Sequence, residues 1–236
     1  MTGVSRTGKP VLEIAGRTKN VLFDFDMTLI DSSAGVAWGL QRLSRVFSLR
    51  KPPKEEVFRT IGLPMRQAME ALWGECREEW LLYYRENISS LERKYLKLLP
   101  GVTSLLETLK SMDIACGVVS NRGSLKNLIG EFDLEGHFQA VLVLNDGLPP
   151  KPDPAPLLFA MKRLNAEKDE TIYVGDSVID VETSRRAGIP CFAVSTGSTR
   201  PEVLVSSGAI KAFDSCLEIE TLFRMEKAER ARVRNE

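Results

Sequence analysis

The sequence predicts an α/β fold: a Rossmann-like parallel sheet with an inserted all-helical cap domain. Three observations predict it. Short runs rich in Val and Ile recur along the chain, the composition of strands covered on both faces. Helical and strand-like segments alternate from Val102 onward, which implies right-handed parallel crossovers with helices on both faces of the sheet. A long block with helical patterning and no strand of its own separates the first of these strands from the rest, and reads as an insertion.

Residues 1–19 carry Gly, Thr and Lys, with one weak apolar stretch at 11–15 that reads as a short edge strand or a loose arm. Residues 21–25 form the first buried strand. After Asp31-Ser32 the pattern turns helical, and residues 34–47 place Val36, Leu40, Leu43 and Phe47 on one stripe. Pro52-Pro53 interrupts it. Further helices follow at 54–60, at 65–73 after a break at Gly62-Leu63-Pro64, and at 78–95, before Pro100-Gly101 ends the block. Helices at 103–112, 124–132, 155–164 and 181–187 then alternate with strands at 114–119, 141–144, 171–174 and 191–194. Residues 210–213 read as an edge strand and 217–234 as a charged helix. The chain thus divides into a core of residues 1–32 and 96–236 and a cap of residues 33–95.

At 236 residues with a hydrophobic fraction of 43%, the chain is long enough to bury a sizeable core and too apolar to be disordered. Lys plus Arg equals Asp plus Glu at 32 each, so no global charge directs it to nucleic acid or an anionic membrane surface. Cys76, Cys116, Cys191 and Cys216 are scattered without a C-x-x-C pair, which argues against a zinc site and a disulfide framework. No apolar stretch reaches membrane-spanning length, and the basic start (Arg6, Lys9, Arg17, Lys19) lacks the apolar block of a signal peptide. These features suit a cytoplasmic enzyme with small partners, without nucleic acid or membrane, as a monomer or homodimer.

Four short polar patterns follow strand-like runs in one order: Asp24-Phe25-Asp26-Met27-Thr28, Ser120-Asn121, Lys151-Pro152, and Gly175-Asp176-Ser177 followed by Asp180. In open parallel sheets ligands bind in the crevice outside the carboxyl ends of the strands, so residues far apart in sequence converge there. Alternation along extended backbone points Asp24 and Asp26 the same way. Asp180 lies one helical turn beyond Asp176 and faces the same way, and Gly175 allows tight turning before it. Taken singly, each pattern is weak. An Asp at a strand end is most often a cap or turn former, a Ser in that position is often a helix cap, and Lys-Pro recurs at Lys51-Pro52 inside the helical block. Their joint order carries the reading.

In that order the patterns resemble those of the haloacid dehalogenase (HAD) phosphohydrolase superfamily, over residues 20–213. The stretches Leu29-Ile30-Asp31-Ser32, Lys151-Pro152-Asp153-Pro154-Ala155-Pro156 and Arg186-Ala187-Gly188-Ile189-Pro190 look like those of its phosphoglycolate phosphatase-like, helical-cap subgroup. The resemblance implies a Mg²⁺-dependent phosphatase that cleaves a small phosphorylated metabolite, phosphoglycolate-like or a sugar phosphate, through an aspartyl-phosphate. Asp24 is then the nucleophile and Asp26 the acid and base, while Thr28 braces the turn and the second carboxylate. The resemblance further implies Mg²⁺ held by the Asp24 carboxylate, the Asp26 backbone carbonyl and Asp176, with Asp180 a direct or water-mediated partner. An anionic nucleophile attacking an anionic ester needs such positive charge, and hard carboxylate oxygens select Mg²⁺. Lys151 adds a compact cation bridging phosphate and nucleophile. Ser120 and the Asn121 backbone N–H, with Thr28, complete the phosphate-binding set, donating as helix N-termini do. One departure is visible: Met27 stands where that family commonly has Gly, and since Met disfavours positive φ the turn is expected to use ordinary dihedrals.

A phosphomutase on the same core is the alternative. Related mutases carry a His near the start of the first cap helix, whereas Val36 stands about there in this chain and transfers no proton. A carbon–halogen hydrolase of the same fold needs neither Asp26 nor Asp176. In the cap loop 60–66, Arg66 or Arg59 is placed to meet an anionic leaving group, although a solvated charge is the commoner fate. Trp38, Trp73, Trp80, Tyr83 and Tyr84 read as packing between cap helices as readily as a binding face. His137, the only histidine, reads as surface or half-buried.

Overall fold

In the computed structural model, which describes residues 11–123 and 125–234, the Val- and Ile-rich runs assemble into one six-stranded parallel sheet. The chain runs α1 (Val11–Arg17), β1 (Asn20–Phe23), β2 (Ile30–Asp31), α2 (Ser33–Val46), α3 (Lys54–Phe58), α4 (Met65–Trp73), α5 (Glu78–Asn87) and α6 (Ser89–Glu92), and returns through β3 (Lys97–Leu98). Helix and strand then alternate: α7 (Val102–Lys110), β4 (Ala115–Val119), α8 (Lys126–Glu131), β5 (Ala140–Leu142), α9 (Ala155–Leu164) and β6 (Thr171–Gly175). The remainder is α10 (Val178–Ala187), β7 (Cys191–Val194), α11 (Pro201–Ser206), β8 (Lys211–Phe213) and α12 (Cys216–Arg234).

The sheet order is β5-β4-β1-β6-β7-β8. β1 is central, its four residues buried and paired with 115–118 of β4 and 171–174 of β6. The order turns back on either side of β1, so the crevice of the topological switch opens at its carboxyl end. Alternation of side chains along β1 sorts the core into two layers. Val21 and Phe23 pack with α1, α7, α8 and α12, while Leu22 packs with α9, α10 and α11.

The helices α2 to α6 lie between β2 and β3, whose antiparallel pairing of Ile30 with Leu98 closes the neck of the insertion. They pack on a third cluster that includes Leu40, Leu43, Met69, Trp80 and Tyr84. Trp80 meets Trp73 and Phe47 with ring centroids 5.8 and 6.2 Å apart, so the aromatic residues serve the interior of this bundle. No helix of the described residues is long and apolar enough to cross a membrane. All four cysteines are free, with Cys116, Cys191 and Cys216 buried.

Several elements differ from the sequence-based expectation. Residues 11–15 belong to a helix, because Ile14 and Ala15 are buried in the layer of α12 and Arg230 of that helix donates to the Gly16 carbonyl. Residues 1–10 and Ser124 lie outside the described residues. The run 78–95 is not one helix. It is interrupted at Ile88, whose φ of −118° is stretched from the helical value while ψ stays at −48° and whose side chain is fully buried in the third cluster, and resumes as α6 and a short 3₁₀ turn. The turn after β1 also departs from expectation: Met27 has φ of 59°, in the left-handed region. Its N–H donates to the Ile30 carbonyl at 2.7 Å and its own carbonyl accepts from the Thr196 hydroxyl, and these bonds hold a conformation that a Met disfavours.

Candidate active site

The Asp24 N–H still follows the sheet, donating to the Val174 carbonyl at 2.8 Å, and the chain then doubles back. The Phe25 carbonyl accepts from the N–H groups of Thr28, Leu29 and Ile30, a turn that leaves both the Asp24 and Asp26 carboxylates at the carboxyl end of β1. Asp24 is 2% exposed. Its Oδ1 accepts from Lys151 Nζ at 2.6 Å, while its Oδ2 is buried without a hydrogen-bond partner.

Lys151 has three acceptors for its three protons. Its Nζ donates to Asp24 at 2.6 Å, to Asp180 Oδ1 at 2.7 Å and to the Tyr173 hydroxyl at 2.9 Å. Asp180 is fixed from the other side, since its Oδ2 accepts from the Ser177 N–H and hydroxyl in a capping box at the start of α10. Gly175 permits this approach: a Cβ there would stand 2.4 Å from the Asp180 Cβ. Asp176 lies beside them, its Oδ1 3.4 Å from the Thr28 hydroxyl. Thr28 therefore faces Asp176, which corrects the expectation that it braces Asp26. Gly197, in the loop after β7, is packed so closely that a Cβ would lie 1.8 Å from Asp176 Oδ2.

Asp24, Asp176 and Asp180 each offer an oxygen within 4.8 Å of the others, all three buried. Three carboxylates thus share one ammonium, a deficit equal to one divalent cation. Burial, reinforced by Asp180 and only partly opposed by Lys151, pushes the Asp24 carboxyl up to about 7. Burial and the neighbouring Asp180 and Asp24 carboxylates also push Asp176 well above its ordinary value. Lys151 is held charged, because its two carboxylates outweigh the effect of burial. The unpartnered Asp24 oxygen, the hard donor set and the missing charge fit Mg²⁺ held by Asp24 and Asp176. The Asp180 oxygens are already hydrogen-bonded, which suits a supporting place for it.

Asp26 is engaged differently. Arg122 Nε donates to its Oδ2 at 3.0 Å and Nη2 to its Oδ1 at 2.7 Å, and Nη1 reaches Glu92 at 2.6 Å. Burial raises the Asp26 carboxyl, but the Arg122 charge and hydrogen bonds more than offset this and leave it below the usual value. The Ser120 N–H is spent on the Leu142 carbonyl and its Oγ accepts from the Arg122 N–H, so its hydroxyl proton is left to donate. The Asn121 side chain braces the loop of Lys151, accepting from its N–H at 2.8 Å, and donates to the Gly62 carbonyl of the cap loop at 2.9 Å. Since α8 begins only at Lys126, neither residue stands at a helix N-terminus.

A cavity of about 510 Å³ opens between these residues and the cap loop, walled by Asp24, Asp26, Ser120, Arg122 and Val36. Arg66 lies on its rim, exposed and paired with Glu78, and Arg59 is exposed. His137 is half-buried, 3.5 Å from Glu107. Sequence reasoning missed Arg122, Glu92 and Tyr173. Arg122 is signalled only by following Ser120-Asn121, and Tyr173 by being the one ring in an otherwise aliphatic strand. Glu92 lies in a charged stretch that marks no single acid.

The architecture and the site have counterparts among known proteins. The family model described as haloacid dehalogenase-like hydrolase matches residues 21–194. A phosphoglycolate phosphatase of Aquifex aeolicus is 31% identical over 171 residues, 71% of this chain and 80% of the relative. An N-acetylmuramic acid 6-phosphate phosphatase of Pseudomonas aeruginosa is 28% identical over 201 residues, 79% of this chain and 85% of the relative. Among solved structures, one from Bacteroides fragilis described as a haloacid dehalogenase-like hydrolase superposes with a TM-score of 0.79 at 26% identity, covering 86% of this chain and 99% of that one. With its parallel sheet, helical insertion and acidic cluster, the chain belongs to the haloacid dehalogenase-like hydrolase family, among its phosphoglycolate phosphatase-like phosphatases.

Proposed function

We propose that the protein is a Mg²⁺-dependent phosphatase that hydrolyses a small phosphomonoester, phosphoglycolate-like or a sugar phosphate, through an aspartyl-phosphate on Asp24. The observation that carries this is the buried trio of carboxylates around one lysine, with one Asp24 oxygen left unpartnered and Asp24 on the cavity wall. Asp24 attacks phosphorus as the ester P–O bond breaks, and Asp26, ionised while Arg122 holds it, takes up the proton that a substrate monoanion brings in and passes it to the leaving oxygen. In the second half Asp26 takes a proton from water, which attacks the phosphorus of the aspartyl-phosphate and restores the Asp24 carboxylate. Lys151 fixes the Asp24 carboxylate and neutralises charge beside the phosphoryl group; Ser120 donates to its oxygens. Asp24, Asp176 and the Asp26 backbone carbonyl, with Asp180 in support, would hold Mg²⁺, which would supply the charge that lets an anion approach an anion.

Water is the acceptor in this reading because Val36, on the cavity wall near the start of α2, offers no proton-transfer group for a mutase cycle. The helical segment 33–95 acts as the cap that covers the leaving group. The free thiols and neutral charge balance of the whole chain suit a cytoplasmic enzyme with a small-molecule partner. A phosphate-release screen over small phosphomonoesters with Mg²⁺ tests the proposal, with Asp24→Asn as the blank. Release by the wild type and not by the variant is expected; equal release from both would overturn it.

A further inference from the structure

Arg122 stands directly after Ser120-Asn121 and takes no part in the scheme above. Its guanidinium is mostly covered and makes three charge-assisted contacts, two to Asp26 and one to Glu92. Glu92 is 1% exposed, at the end of the last cap helix, and accepts from the buried hydroxyl of Tyr84 in α5. Contacts therefore run without a gap from the interior of the helical insertion, through Glu92 and Arg122, to Asp26.

We infer that Arg122 and Glu92 are positioning residues that hold the Asp26 carboxylate in the orientation from which it exchanges protons with the leaving group and water. The inference rests on the acid and base role given to Asp26 above. Both Asp26 oxygens are gripped by a planar fork, which fixes the carboxylate plane as a single contact does not. The fork takes two of about four lone-pair directions, so the others remain for a proton. The fork is itself anchored by Nη1 on Glu92 at 2.6 Å, and the Arg122 backbone by its N–H on Ser120 Oγ at 3.1 Å. Stability alone is a poor reason for the arrangement, since desolvating one guanidinium and two carboxylates costs about as much as their attraction returns.

The test compares leaving groups that differ in their need for a proton. Ethyl phosphate needs protonation of its alkoxide, whereas p-nitrophenyl phosphate expels a stable phenolate unaided. Asp26→Asn, Arg122→Met, Arg122→Lys and Glu92→Gln are assayed on both. The ratio of kcat/KM on ethyl phosphate to kcat/KM on p-nitrophenyl phosphate, which reports only the first half-reaction and not the aspartyl-phosphate hydrolysis common to both, should fall at least roughly tenfold in Arg122→Met, the scale on which misplacing a reacting group acts. It should fall less in Glu92→Gln, and the KM for ethyl phosphate should move little. Arg122→Lys keeps the charge and breaks the fork, so a fallen ratio there separates geometry from folding. Equal losses of kcat/KM on both substrates in the Arg122 and Glu92 variants, with the ratio shifted in Asp26→Asn, would overturn this inference alone. An unshifted ratio in Asp26→Asn would overturn the acid role of Asp26 and this inference with it.

Discussion

Met27 is strained in its backbone and stabilised by its buried side chain, whereas Gly197 matters for the side chain it lacks. Met27 sits at φ of 59°, where an L residue with a long side chain is strained by roughly 1–2 kcal/mol. Its side chain is only 4% exposed, and burying a Met contributes roughly 1.5–3 kcal/mol. Met27→Gly relieves the strain but loses the burial and adds unfolded-state freedom. Burial wins, and urea unfolding should show a loss of about 1–2 kcal/mol; a gain would mean that the strain dominates. Gly197 is the opposite case. A Cβ there would fall on Asp176 Oδ2, so Gly197→Ala must displace that carboxylate. The Mg²⁺ concentration for half-maximal phosphatase activity should rise roughly tenfold or more, the usual scale for disturbing a ligand's support. An unchanged Mg²⁺ titration would show that Asp176 is not the metal ligand.

Among elements, the strands were legible and the end of the insertion was not. A Val- and Ile-rich run that stops at a polar pattern fixes both a strand and the loop where chemistry collects, so β1, β4 and β6 and the residues after them follow from the sequence. The run 78–95 has helical composition throughout, yet tertiary packing breaks it. Ile88 turns inward, and α6 is set against α2 so closely that a Cβ on Gly35 would meet the Glu92 carbonyl at 2.8 Å. Nothing local announces such a contact. Gly35→Ala should therefore destabilise the protein by roughly 1–3 kcal/mol through overpacking; unchanged denaturant midpoints would contradict the close approach. For the site, the acids and Lys151 were legible because each closes a strand-loop pattern. Arg122 and Glu92 were not, because their meaning lies in a contact between segments 30 residues apart.

Over the whole molecule, the buried acids couple stability to pH and to metal. A carboxyl raised on folding, as Asp24 is from 3.8 to about 7, contributes stability below its unfolded value and loses it as pH rises through its folded value. Asp26, held low by Arg122, acts in the opposite sense: its contribution is present above its unfolded value and is lost as pH falls through the folded one. On the proposed assignment Mg²⁺ would need Asp24 and Asp176 ionised, so its stabilisation should grow over the window in which Asp24 would otherwise be protonated. Melting temperatures with and without Mg²⁺ should differ more at about pH 8 than at about pH 5.5; an equal or reversed increment would contradict the assignment of this cluster to the metal.

The central claim is that Asp24 carries the phosphoryl group between substrate and water. The most direct measurement is to mix the protein with Mg²⁺ and a turned-over phosphomonoester, quench in acid, reduce the acyl phosphate with borohydride and map the modified residue by mass spectrometry. Modification at Asp24, absent from Asp24→Asn, is the predicted result. Phosphate trapped on any other residue, or turnover by Asp24→Asn at the wild-type rate, would contradict the account.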